Sequence, residues 1–423
     1  MDRKCIVFLC FCLLPVFPGL KAYSDDTVRK ETGNRYPIVL VGGFMNFGRD
    51  KALGFRYWGG FEDIQEYLKE QGFEVYTADI GPLSSNHDRA CELFTEIKGG
   101  QVDYGAAHAD TFGHERFGKT CSGFYPPWGT EDPETGEIRK VHLVCHSMGG
   151  QTGRVLAGLL EYGDSAEQDT EDCSPLFTGG KEWIASITTI ATPHDGTTLV
   201  RAASYVEDYV VYLLSFLDLT NDLVSGTFFD FQLDHWGLVR EEGQSIQDFR
   251  DALMESRLWF TTKDFSFHDL TPEGARRLNE RTPACKDIYY FSWSTLRTVY
   301  NLENSSVHPE IGMNPALIPG ALFLASYERE NDDPAWITRQ WRMSDGVVNT
   351  PSMRGPSAGS DDRIVPFNGE AEKGVWNDMG ILSSCDHLDI IGITAIPFQT
   401  TLEGYSSVEG WYLDLARFLW SLE

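Results

Sequence analysis

Ser147 lies in the run Lys140-Val141-His142-Leu143-Val144-Cys145-His146-Ser147-Met148-Gly149-Gly150, where a β-branched stretch stops abruptly at a serine and two glycines. From residue 151 to 162 leucines recur at helical spacing, so the segment reads as strand, sharp turn and helix. A serine on such a turn projects its hydroxyl clear of the sheet edge and can act as a nucleophile, provided the flanking positions are small enough for the helix to pass close to the strand. Gly149 meets that need. Cys145 stands where the five-residue nucleophile pattern usually has glycine. The competing reading is a serine that only caps a helix.

A serine nucleophile needs a base, an acid and an oxyanion hole. The chain order expected for an elbow of this kind is Ser, then acid, then His. His387, in Cys385-Asp386-His387-Leu388-Asp389, comes late enough to be the base. His194, two residues beyond the strand predicted over 184–190, falls out of order. Two carboxylates compete for the acid: Asp345 in Ser344-Asp345-Gly346-Val347-Val348, and Asp362 in Asp361-Asp362-Arg363-Ile364-Val365-Pro366. Each stands on a turn beside an apolar pair, and spacing does not rank them. The predicted strand over 36–41 runs into Gly42-Gly43-Phe44. A loop there supplies one oxyanion N–H, the other coming from the residue after the nucleophile, which makes Phe44 and Met148 the backbone donors.

These residues need elements to hold them. Apolar residues at Ile64, Tyr67 and Leu68 predict a helix over 61–71, and residues 73–78 read as a strand, giving a β-α-β start and a parallel sheet. Further strands are predicted over 184–190 and 288–292. Beyond them a long irregular region holds both candidate acids. Residues 81–127 are polar and rich in Gly, His and Asp, and include His87, His108 and His114. The six-residue spacing of His108 and His114 is a weak metal signal, because tetrahedral zinc would need further ligands from distant segments. Residues 199–231 carry Val206, Tyr209, Val210, Leu213, Leu214, Phe216 and Leu217 on a broad helical face. That is the pattern of a core helix or of a mobile lid with an apolar inner face.

The whole chain has 423 residues and a net charge of −28, which argues against non-specific nucleic-acid binding and against docking on anionic lipid through a basic patch. Arg3 and Lys4 precede an apolar run from 5 to 17, too short for a comfortable membrane span, so residues 1–22 read as a secretory signal and the protein as secreted, with no integral span in the mature chain. Of the nine cysteines, Cys5, Cys10 and Cys12 would leave with that signal. The other six allow many pairings, with Cys145 expected to stay a buried free thiol. Asn304-Ser305-Ser306 is an N-glycosylation sequon.

Several longer stretches resemble one family: Tyr57-Trp58-Gly59-Gly60, Gly81-Pro82-Leu83-Ser84-Ser85-Asn86, Val102-Asp103-Tyr104-Gly105-Ala106-Ala107-His108, Leu233-Asp234-His235-Trp236-Gly237-Leu238, and Lys373-Gly374-Val375-Trp376-Asn377-Asp378-Met379-Gly380. Together with residues 191–198 they resemble the secreted bacterial lipases of the thermophilic Bacillus (Geobacillus) and Staphylococcus type. The resemblance implies an α/β-hydrolase fold, with a mostly parallel central sheet flanked by helices, an inserted zinc subdomain over about 81–127 and a helical lid over about 199–231. Residues 23–423 would form one domain. It implies a triad of Ser147, Asp345 and His387, leaving Asp362 a structural role. It implies a structural zinc held by Asp63, His108, His114 and Asp234. It also implies a calcium site at Gly312, Asp389, Thr394 and Ala395, weakened because the family has aspartate where Thr394 stands and proline where Ala395 stands. The expected activity is hydrolysis of acylglycerol esters at an oil–water interface. A phospholipase or a soluble-ester esterase could use the same scaffold, and a catalytically dead binding module is the non-enzymatic alternative.

Overall fold

In the computed structural model, residues 33–49, 54–202, 231–241, 243–260, 262–329, 333–394 and 402–423 are described. The expected signal segment and residues 203–230 of the expected lid lie outside them. Seven strands form the central sheet: β1 (Ile38–Val41), β2 (Val75–Thr77), β3 (Val141–His146), β4 (Ile184–Ile190), β5 (Tyr289–Leu296), β6 (Ile364–Pro366) and β7 (Trp376–Ser383). Their order is β6-β7-β5-β4-β3-β1-β2, and every neighbouring pair is parallel. This is the expected α/β architecture.

A parallel sheet needs cover on both faces, and alternation along each strand supplies the two apolar surfaces. On β1, Val39 and Val41 face one core with Leu143 and Cys145 of β3, while Ile38 and Leu40 face the other with Val144. Helices α1 (Ile64–Glu70), α2 (Asn86–Lys98), α3 (Ala106–Phe112), α4 (Gly149–Tyr162) and α5 (Val408–Trp420) bear on these surfaces and on the site. Ala90, Leu93 and Ile97 of α2, with Leu156, Ala157 and Leu160 of α4, cover the first face. Ile64 and Leu68 of α1, with Trp411, Tyr412, Leu415 and Leu419 of α5, cover the second. Helix α2 falls inside the expected insertion, yet its apolar side chains belong to the same core as the central strands.

Strands β6 and β7 lie in the region expected to be irregular. β6 is three residues long, and β7 slips register between Asp378 and Ile381, beside Gly380 at φ 94°. Neither therefore carries the unbroken apolar or alternating pattern that marks a strand in sequence.

The elbow's departure at Cys145 has a local counterweight. Cys145 is fully buried, and its thiol points at Gly153 one turn into α4, where an added Cβ would come 3.0 Å from the sulfur. The bulk gained on the strand is matched by bulk absent on the helix. All six described cysteines are free thiols, Cys145 as expected among them. No helix among the described residues is long and apolar enough to cross a membrane.

The pairing of Cys145 with Gly153 is testable by thermal denaturation. Gly153→Ala should destabilise, because overpacking costs about 1–3 kcal/mol against about 1 kcal/mol of helix propensity gained. In a Cys145→Ala background the same substitution should stabilise. Equal effects in the two backgrounds would refute the pairing.

Candidate active site and metal centre

β3 ends at His146, and Ser147 follows with φ 56°, a left-handed backbone that serine adopts only when its surroundings hold it there. The Ser147 N–H donates to the Ile190 carbonyl (2.9 Å), and the Ser147 carbonyl accepts from Thr192 Oγ1 (2.8 Å). Helix α4 starts at once, with Met148 as its cap. It crosses β1 so closely that a Cβ at Gly149 would overlap the Val41 carbonyl oxygen. The strand–turn–helix geometry expected of a nucleophile is therefore present, and position 149 admits no side chain.

The three expected triad residues meet. Ser147 Oγ lies 2.9 Å from His387 Nε2, and His387 Nδ1 lies 2.8 Å from Asp345 Oδ2. Asp345 is completely buried and its carboxylate is fully engaged: Thr295 Oγ1 donates to Oδ2 (2.7 Å), and the N–H groups of Val347 and Val348 donate to Oδ1 (3.0 and 2.8 Å). The turn bearing His387 is held by Asp386, which accepts from the N–H groups of Leu388 and Asp389 (both 3.0 Å) and of Asn314 (2.7 Å). Of the two candidate acids, the structure brings only Asp345 to the histidine. Asp362 accepts from the Ala284 N–H (2.9 Å) and from Trp376 Nε1 (3.2 Å), a structural role. His194 is buried against Thr189 Oγ1 (3.0 Å), away from this line.

The loop after β1 closes on the nucleophile. A Cβ at Gly43 would come 2.6 Å from Ser147 Cβ and 3.0 Å from its Oγ, so this loop passes beside the serine at backbone distance. Phe44 follows it directly. Met148 N begins α4, where the helix's unpaired N–H groups favour negative charge. Arg89 on α2, fully buried, fixes the loop from behind: Nη2 donates to the Gly42 carbonyl and Nη1 to the Gly81 carbonyl (both 2.5 Å), and Nε to Thr152 Oγ1 (3.0 Å).

The expected metal ligands divide. His108 and His114 do come together, but with Asp88 and Asp264, and not with Asp63 or Asp234. One ligand atom from each of these four residues lies within 4.8 Å of all the others. His108 Nε2 is 3.1 Å from Asp264 Oδ2 and 3.3 Å from Asp88 Oδ1, and His114 Nε2 is 3.3 Å from Asp264 Oδ2. His114 Nδ1 donates to the Glu115 carbonyl (2.9 Å), which leaves Nε2 as a lone pair aimed into the cluster. Buried Asp88 Oδ1 and His114 Nε2 have no hydrogen-bond partner, although His108 Nε2 lies 3.3 Å from the first and Asp264 Oδ2 lies 3.3 Å from the second. Asp88 Oδ2 is oriented from outside by His235 Nε2 (3.1 Å). Burial alone would lower the His108 pKa, but hydrogen bonds to Asp264 and Asp88 outweigh it and push the imidazole up to about 10. Two buried carboxylates thus call for a cation, and these donors fit a metal ion.

The two acids expected by resemblance lie outside this cluster and make other contacts. Asp63 caps α1: its Oδ1 accepts from the Glu66 N–H (3.1 Å), and its Oδ2 pairs with Arg56 Nε (2.9 Å) and with Arg49. Asp234 is exposed at the start of a short turn, and it is the next residue, His235, that is buried against Asp88. The clustered acids carry little signal in sequence. Asp88 stands three residues past the cap Ser85 and reads as a first-turn capping acid, and Asp264 sits in a stretch with no regular pattern.

The expected calcium donors do not fit a hard dication. Asp389 Oδ2 already takes the Asp386 N–H (3.0 Å) and Arg297 Nη1 (3.2 Å), and the same guanidinium bonds the carbonyls of Ser384 and Ile311, beside Gly312. Thr394 brings no carboxylate, and Ala395 lies outside the described residues. A calcium ion wants six to eight oxygens, carboxylates among them. Here a buried arginine neutralises the one carboxylate at these four positions.

Comparison with known proteins agrees with this geometry. A family model described as "Lipase-like, C-terminal domain" matches residues 34–418. A lipase of Staphylococcus hyicus is 36% identical over 419 residues, which cover 96% of this chain and 61% of that protein. The chain spans only about half to six-tenths of the length of the curated relatives it matches. Among solved structures, EstA from Clostridium botulinum matches with a TM-score of 0.85 at 43% identity, over 96% of this chain and 92% of that one. Lipase 1 from Pelosinus fermentans matches with a TM-score of 0.81 at 44% identity, over 92% of this chain and 100% of that one. With the family model covering nearly all of the described fold, the chain belongs to the lipase-like family.

Proposed function

We propose that the protein is a secreted serine lipase that hydrolyses carboxylic esters of acylglycerols. The observation that carries this reading is the continuous line from Ser147 Oγ through His387 to buried Asp345, built on a strained elbow. His387 takes the Ser147 proton as the oxygen attacks the ester carbonyl, and Asp345 holds the imidazole in the right tautomer and stabilises its positive charge. The N–H groups of Phe44 and Met148 receive the negative charge that develops on the carbonyl oxygen, worth about 2.7–4 kcal/mol per donor. His387 then gives its proton to the departing alcohol, and water, activated by the same base, releases the fatty acid and restores Ser147. The apolar run over 5–17 supports export, and the apolar residues within 199–231 support a lid that opens at a lipid surface.

We further propose that the ion at Asp88, His108, His114 and Asp264 is zinc. Bonds of about 2.0 Å arranged tetrahedrally put donors about 3.3 Å apart, and three donor pairs here stand at 3.1–3.3 Å. Two neutral imidazoles and two carboxylates balance a dication. When bound, the ion serves structure, tying α2 and α3 to the segment around Asp264.

Two experiments test these readings. The purified, signal-free protein should release fatty acid from emulsified long-chain triacylglycerol, and Ser147→Ala should abolish that release; turnover confined to a soluble short-chain ester would reduce the protein to an esterase. Elemental analysis should find zinc in stoichiometric amount, lost in Asp88→Ala and Asp264→Ala. It should be retained in Asp234→Ala and in Asp63→Ala, which forfeits a helix cap worth about 0.5–2 kcal/mol and the ion pairs to Arg56 and Arg49. Zinc that tracks Asp63 or Asp234 instead would overturn the assignment.

A further inference from the structure

His146 separates Cys145 from the nucleophile, and the reaction just described leaves it without a role. Alternation along β3 turns it to the face opposite Cys145, where it is 1% exposed. Its Nδ1 lies 2.8 Å from the Tyr57 hydroxyl, and its Nε2 lies 3.0 Å from the carbonyl oxygen of His387. The same Tyr57 oxygen lies 2.8 Å from the Gly43 nitrogen. The donors and acceptors in this chain assign themselves. The Gly43 N–H can only donate, so the Tyr57 oxygen accepts from it and sends its own proton to His146 Nδ1. Nδ1 is then an acceptor, so the proton of the neutral ring sits on Nε2 and is donated to the His387 carbonyl. Burial drives the His146 imidazole well below its ordinary pKa, and the neighbouring His387 pushes it the same way. Burial likewise keeps the Tyr57 hydroxyl protonated.

One hydrogen-bonded chain therefore runs from the oxyanion loop, under the elbow, to the backbone of the catalytic base. The two ends of this chain do separate jobs. At Gly43 it fixes the peptide immediately before Phe44, whose N–H must meet the developing oxyanion. At His387 it fixes the residue whose ring must face both Ser147 and Asp345. The His146 and His387 rings lie 4.6 Å apart, centroid to centroid. A charged His146 would therefore oppose formation of the His387 imidazolium, and the tautomer imposed by Tyr57 keeps it neutral.

We propose that Tyr57 and His146 are positioning residues that hold the oxyanion loop and the base-bearing loop in register with each other for acyl transfer. This proposal rests on the esterase chemistry argued above and adds two residues to it. It differs from a purely structural role in what it predicts for kinetics. Misplacing donor and base by a fraction of an ångström affects the transition state more than substrate binding.

The test measures kcat, KM and thermal stability on a soluble ester for wild type, Ser147→Ala, Tyr57→Phe, His146→Gln, His146→Ala and the Tyr57→Phe/His146→Ala double variant. Tyr57→Phe and His146→Ala should each lower kcat roughly 10- to 100-fold, with KM within about twofold. The double variant should lose little more than its worse parent, because both cut one chain. His146→Gln keeps an N–H donor and should retain more activity than His146→Ala. Tyr57→Phe preserves the packing, so it decides the matter if His146→Ala does not fold. Well-folded single variants with unchanged kcat, or losses that multiply in the double variant, would overturn the proposal while leaving the esterase reading intact. A wild type without Ser147-dependent turnover would bring down both.

Discussion

Everything at this site depends on the backbone of Ser147 being held in a left-handed turn between β3 and α4. A non-glycine residue there costs about 1–3 kcal/mol, and it persists only because the neighbours leave no other path. The hydrogen bonds to Ile190 and Thr192 pin the turn on one side. On the other, β1 passes so near that Gly43 and Gly149 have no room for a side chain. The turn points Oγ out of the sheet, places Met148 N at a helix start and brings the β1 loop alongside. Nucleophile and oxyanion donors are thus consequences of one close crossing rather than separate inventions.

This crossing is also why so much of the site was legible. Close approach demands small residues at fixed offsets from the serine, and that demand is local in sequence. Ser147, Met148 and Gly149 could be read directly, and Phe44 followed from the strand before it. The acid was not legible in this way. Asp345 and Asp362 occupy similar turns, and what separates them is that one turn is carried to His387 by β5 and β7, whose pairing spans long sequence separations. Family resemblance ranked the two acids where local pattern could not, and the geometry agrees with it.

The metal centre marks the limit of both methods. His108, on α3, and His114, two residues past its end, followed from the family resemblance, whereas the carboxylates that complete the cluster come from the first turn of α2 and from the distant segment around residue 264. Asp63 and Asp234 were plausible by resemblance because each sits beside residues of a shared motif. Asp234 in particular is one residue from His235, which orients the clustered Asp88. A displacement of that kind is invisible in sequence but decisive in space, since Asp234 is exposed while Asp88 and Asp264 are buried. Only burial turns a carboxylate into a demand for a counter-charge.

The same logic of compensation explains why the chain's departures from its family pattern are tolerable. Cys145 enlarges the strand end, and Gly153 vacates the space it needs. Thr394 removes a charge from the expected calcium site, and Arg297 is bonded to the aspartate that remains. Gly153 lies one turn into α4 and Arg297 just past β5, each on a different element from the position it offsets. At both contacts a change of volume or charge at one position is balanced at its partner. The triad is the exception. Its three members must present specific atoms to one another, and no neighbour can supply a proton acceptor in place of His387.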